Sequence, residues 1–125
     1  MMHSSRLQAL RSMQSANGVA CVALVPGANL QYFTGLAMHL SERPTVAFVP
    51  AEGPLTLVLP VLEAPAARAH LPGDTQILTY SDEEGHEHIF HQVAELLQLV
   101  DRPVAVEYLA MRLLEMRRIE QAFPS

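Results

Sequence analysis

The run Val19-Ala20-Cys21-Val22-Ala23-Leu24-Val25 is apolar at odd and even positions alike. A strand with one wet face alternates apolar and polar residues with period two. A run with no polar phase must be covered on both faces, which places it inside an α/β sheet with helices above and below. Pro26-Gly27 ends the run, and Ala28 to Phe33 predicts a short helix closed by Gly35. Upstream, Ser5 and Gln8 have capping-box spacing, Leu7, Leu10 and Met13 recur near helical spacing, and Asn17-Gly18 is a left-handed stop. This predicts a first amphipathic helix.

Downstream, Thr45 to Val49 and Leu55 to Leu59 are two β-prone runs joined by Pro50-Ala51-Glu52-Gly53-Pro54. Such a short Gly/Pro connector predicts a hairpin, so the sheet is at least partly antiparallel. Val61 to His70 is Ala-rich and predicts a helix, with Pro65 tolerable only in a first turn. After the turn Leu71-Pro72-Gly73-Asp74, Thr75 to Tyr80 predicts another strand. Ser81 and Glu84 repeat the capping-box spacing ahead of a helix to about Val100, with Ile89, Val93, Leu96 and Leu97 on its buried face. Pro103 to Glu107 predicts a short strand. A last helix from Leu109 is expected to bury Leu113, Met116 and Phe123 until Pro124 interrupts it. The order α-β-α-β-β-α-β-α-β-α is that of one three-layer α/β domain with a mixed sheet, spanning residues 1–125.

Hydrophobic residues make up 50% of the 125 and charged residues 17%, the balance of a packed globule rather than a disordered chain. With a net charge of -5 and no basic block, the composition argues against a nucleic-acid partner. No apolar run approaches the roughly 20 residues of a membrane-spanning helix, and Met1 to Met13 lacks the apolar core of a signal peptide. Cys21 is the only cysteine, which suits a reducing compartment; the expected location is cytoplasmic. Its position inside the apolar strand predicts a buried, unreactive thiol.

Around the start of the fourth helix, Glu83-Glu84-Gly85-His86-Glu87-His88-Ile89-Phe90-His91 invites a metal reading, since His88 and His91 are i, i+3 with Glu84 a turn earlier. Acidic residues at a helix start also complement its dipole, and no pre-oriented outer shell is visible. No metal site is therefore assigned to His86, His88 and His91. The Val25-Pro26-Gly27-Ala28 turn lacks the glycine pattern of a dinucleotide site and the lysine of a P-loop.

Asn29-Leu30-Gln31-Tyr32-Phe33-Thr34-Gly35 follows the first strand, then come Ser41-Glu42-Arg43-Pro44, Leu57-Val58-Leu59-Pro60-Val61-Leu62-Glu63 and Val104-Ala105-Val106-Glu107. These four segments resemble, in order and spacing, motifs of the creatinase/prolidase N-terminal domain, with Ala105 where that family usually has glycine. The resemblance implies a ribonuclease-H-like α/β/α fold. It also implies that the parent protein is a Xaa-Pro dipeptidase or aminopeptidase, a metallopeptidase whose separate C-terminal catalytic domain holds two divalent metal ions beyond Ser125. On this reading the present domain has no catalytic residues, metal ligands or cofactor of its own. Its expected partners are that catalytic domain, a second subunit in a homodimer and a proline-containing peptide substrate. Creatinase-like C–N hydrolysis and a free-standing binding or regulatory domain are the alternatives.

In dimeric prolidase-like enzymes the loop matching Leu36 to Pro44 reaches toward the partner's substrate entrance, which points to His39, Glu42 and Arg43. Arginine geometry suits bidentate pairing with a substrate carboxylate. The plain alternative is a Glu42–Arg43 pair that anchors the loop. Tyr32 is expected to fill core through its ring, and Asn29 to cap a helix.

Overall fold

In the computed structural model, which describes residues 4–123, β2 (Val46–Pro50) lies at the centre of a five-stranded sheet. The others are β1 (Cys21–Leu24), β3 (Thr56–Pro60), β4 (Gln76–Tyr80) and β5 (Val104–Val106), in the order β4-β3-β2-β1-β5. The hairpin β2–β3 is antiparallel, as is β1–β2, whereas β3–β4 and β1–β5 are parallel. The parallel steps are each bridged by helix, as parallel neighbours require.

Alternation along each strand sorts the core into two layers. Cys21, Ala23, Val46, Phe48 and Val58 face α4 (Glu87–Leu96) and α5 (Leu113–Ala122). Leu24, Ala47, Val49, Leu57 and Leu59 face the opposite layer, which holds α1 (Ser4–Ala16), α2 (Ala28–Thr34) and α3 (Ala64–His70). Every residue of β2 and β3 is buried. The absence of a polar phase in these runs therefore has its physical cause: both faces are roofed. The element order matches the sequence reading throughout.

Several local expectations are corrected. Helix α1 already includes Ser4, so Ser5 lies within it rather than at a cap, and Gln14 is buried while Met13, one of the three apolar residues at helical spacing, is 65% exposed. Val61–Glu63 form a separate 3-10 turn before α3, with Pro65 in the first turn of α3. The Ser81–Glu84 box does form: each backbone N–H donates to the other's side chain, at 3.1 and 3.2 Å. It closes a turn, though, because Gly85 follows at φ 75° and α4 starts only at Glu87. Helix α4 buries Phe90 and Ala94 beside Ile89 and Val93, while Leu96 is 48% exposed. Helix α5 starts at Leu113, itself 67% exposed, and buries Glu115, Ile119 and Ala122. The interruption assigned to Pro124 lies outside the described residues, as do the first three residues of the Met1–Met13 segment.

Candidate functional site

The strand directions bring one set of loops together. Strands β1, β3, β4 and β5 all end at the edge where β2 begins. In open α/β sheets, ligands gather outside the carboxyl ends of strands. At this edge lie the Val25–Gly27 turn, the loop 36–44, the Pro60–Glu63 turn, Ser81-Asp82 and Glu107.

Loop 36–44 is tied at both ends. At its start Gly35, at φ 79°, donates its N–H to Gln31 O at 2.8 Å, ending α2 in a left-handed conformation that favours glycine. Buried Thr34 donates its hydroxyl to Leu30 O and accepts the Leu36 N–H. At its end, the buried Tyr80 hydroxyl donates to Pro44 O at 2.7 Å, and Arg43 N–H donates to Ser41 Oγ at 3.1 Å. Burial pushes the Tyr80 phenol above its ordinary pKa, so it remains a donor.

The Arg43 guanidinium grips Asp82 as a two-pronged fork, Nε to Oδ1 at 2.7 Å and Nη2 to Oδ2 at 2.8 Å, and Nη1 donates to Glu42 Oε1 at 3.0 Å. Hydrogen bonding to Asp82 raises the Arg43 pKa further, and the same bonds hold the Asp82 carboxyl below its usual range. Both groups are exposed, so water and salt screen this pair. The fork fixes geometry more than it stabilises the fold.

Between the loop and the turn leading into α3 runs a groove of about 460 Å³. His39, Glu42 and Arg43 all line it, so the structure gathers the three loop residues named from sequence. The opposite wall carries Pro60, Leu62, Glu63, Ala66 and His70, with Leu62 85% exposed. The volume falls in the range of small-ligand clefts. Among the described residues, no three His, Cys, Asp or Glu side chains are grouped to hold a metal ion. The groove offers apolar walls, two imidazoles and paired charges: means of positioning a ligand.

Sequence reasoning missed Asp82, Glu63, His70 and Glu107. Glu107 directly follows β5 and accepts the Val25 N–H at 2.6 Å and the Asn29 amide at 3.0 Å. Asn29 is therefore not a cap; Gly27 occupies that position, and Asn29 ties α2 to β5. Tyr32 is also not core. It is 51% exposed, with the Arg6 guanidinium 4.3 Å from its ring centre. Cys21 is fully buried, and its thiol is pushed up to about 12 by that burial, consistent with an inert side chain. His88 and His91 lie exposed on α4, and His86 accepts a hydrogen bond from Arg118 Nε at 3.0 Å.

The family described as the Creatinase/Prolidase N-terminal domain matches residues 6–125, nearly the entire chain. The chain belongs to this family. Solved structures agree on the fold. The N-terminal domain of an X-Pro dipeptidase from Streptococcus pyogenes superposes with a TM-score of 0.80 at 17% identity, covering 97% of this chain and 89% of that one. Dipeptidase PepE from Mycobacterium ulcerans gives 0.78 at 26% identity, covering 95% of this chain and 32% of that one. A dipeptidase from Pyrococcus horikoshii gives 0.81 at 24%, covering 94% and 32%. The creatinase/prolidase-type chain thus spans about a third of the length of the latter two proteins. No curated protein sequence matches it. Among the described residues, no helix is long and apolar enough to cross a membrane.

Proposed function

We propose that the chain acts as the non-catalytic N-terminal domain of a Xaa-Pro dipeptidase- or aminopeptidase-like metallopeptidase. In this reading its loop 36–44 shapes substrate access and the homodimer contact, and a C-terminal domain of the same polypeptide holds two divalent metal ions. The observation that carries the reading is the groove itself: a loop anchored at both ends holds His39, Glu42 and Arg43 along one side of a cleft of about 460 Å³. Exposed Leu40 and Leu62 line the same cleft, an apolar surface suited to a partner or a proline ring. Proline peptides call for such dedicated surroundings because the imide bond has no N–H and φ is fixed. The inert, buried Cys21 suits a reducing, cytoplasmic setting.

Three of the five guanidinium N–H groups of Arg43 are engaged by Asp82 and Glu42. Among the described residues the remaining two have no partner, and in this reading they meet a substrate carboxylate, with Asp82 setting the orientation. Arg43→Ala in the full-length polypeptide is expected to raise KM for a Xaa-Pro dipeptide by about tenfold, the scale of one charge-assisted hydrogen bond, with kcat largely kept. Unchanged steady-state kinetics would rule out a substrate-facing Arg43.

A further inference from the structure

Arg118, on α5, joins its helix to the start of α4. Its Nε–H donates to His86 Nδ1 at 3.0 Å, Nη1 donates to Gln121 Oε1 at 2.9 Å, and Nη2 lies 3.7 Å from Glu87 Oε1. We propose that His86 and Arg118 form an acid-released clasp: protonation of the imidazole detaches Arg118 and loosens α5 from α4 while the sheet stays folded.

The chemistry follows from the acceptor role of Nδ1. A neutral ring whose Nδ1 accepts must carry its proton on Nε2. A second proton has only Nδ1 to go to, where the Arg118 N–H already points. Two donors and two positive charges would then face each other. His86 also occupies the position just before α4, where the helix dipole disfavours a cation. The other groups around the ring do not reverse this. Glu87 is 76% exposed, Glu115 is engaged by Arg112, and Tyr80 meets the ring edge-on at 5.7 Å with its hydroxyl committed to Pro44. Burial first, and Arg118 second, hold the His86 pKa below the ordinary imidazole value despite Glu87 and Glu115. A depressed folded pKa means that the stabilisation is complete above the unfolded value of about 6.5 and is lost as pH falls through the folded one. Ile119 and Ala122 remain packed in the core and Phe123 against Phe48, so α5 loosens without the domain unfolding.

Amide hydrogen exchange of residues 116–123 in the whole chain tests this, at about pH 7.5 and about pH 5.5 with intrinsic rates removed. Protection is expected to fall about fivefold at the lower pH, the scale of one lost hydrogen bond. In His86→Asn, whose Oδ1 can replace Nδ1 as acceptor without titrating, protection is expected to stay level. An equal fall in that variant, or none in the unmodified chain, would overturn the clasp. Should the variant fail to fold, ring titration by NMR decides. The His86 midpoint should lie below about 6.5 and rise in Arg118→Met, and an ordinary midpoint in the unmodified chain overturns the proposal.

Discussion

Phe48→Ala is expected to lower the unfolding free energy by about 4 kcal/mol, about a quarter or more of what a domain this size holds. Phe48 has no exposed surface, sits on the central strand, and meets Phe90 edge-on at 6.3 Å and Phe123 at 5.6 Å. Strand β2 is pinned by ladders on both sides, so the backbone cannot collapse into the space left by the ring. The cost is then the lost transfer free energy of the ring plus the cavity it leaves. Urea unfolding checks it: the midpoint should fall sharply with the slope unchanged. Leu62→Ala is the control, since a side chain 85% exposed should shift stability by no more than about 0.5 kcal/mol.

Arg112→Met should cost about 3 kcal/mol by a different route. Glu115 is fully buried on α5, and its carboxylate is held by the Arg112 Nε at 3.0 Å and by the Nη2 of the same guanidinium. Those hydrogen bonds raise the Arg112 pKa further. Removing the arginine leaves a carboxylate inside the domain without its counter-charge, the expensive half of a broken ion pair. The double variant Arg112→Met, Glu115→Leu should recover most of the loss, because an apolar pair of similar volume replaces a pair that had itself been costly to desolvate. Thermal unfolding of the two variants separates the cases. The single variant should melt about 10 °C lower, and the double variant near the parent.

Glu115 also shows where sequence pattern stops being informative. The runs at Val19 to Val25, Thr45 to Val49 and Leu55 to Leu59 are legible because burial on both faces leaves no alternating polar phase; their polar residues, Thr45 and Thr56, are themselves buried. The Pro50–Pro54 connector fixed their antiparallel pairing. On α5, periodicity treats glutamate as a solvent-facing residue and so points to Leu113, Met116 and Phe123, whereas the buried residues are Glu115, Ile119 and Ala122. The start of α4 is not legible from spacing because a Ser–Glu box satisfies a turn as well as a helix, and only the left-handed Gly85 tells them apart.

The site was half legible for a similar reason. His39, Glu42 and Arg43 lie close together in sequence on one loop, whereas Asp82 is 39 residues from Arg43. It reaches the loop only because β4 runs parallel to β3 and ends at the same edge of the sheet. Tyr32 looked like core filling, yet the long arm of Arg6 covers its ring from α1 and donates to its carbonyl at 3.0 Å. Partners this distant follow from topology, which local spacing does not encode.

The central claim is that this domain positions and covers a site whose chemistry is supplied by other residues. The most direct test is to incubate the purified 125-residue chain with a Xaa-Pro dipeptide and divalent metal ions and to follow release of free proline. The account predicts no release above that of buffer with metal alone; proline release that needs the folded chain and stops on chelation would contradict it.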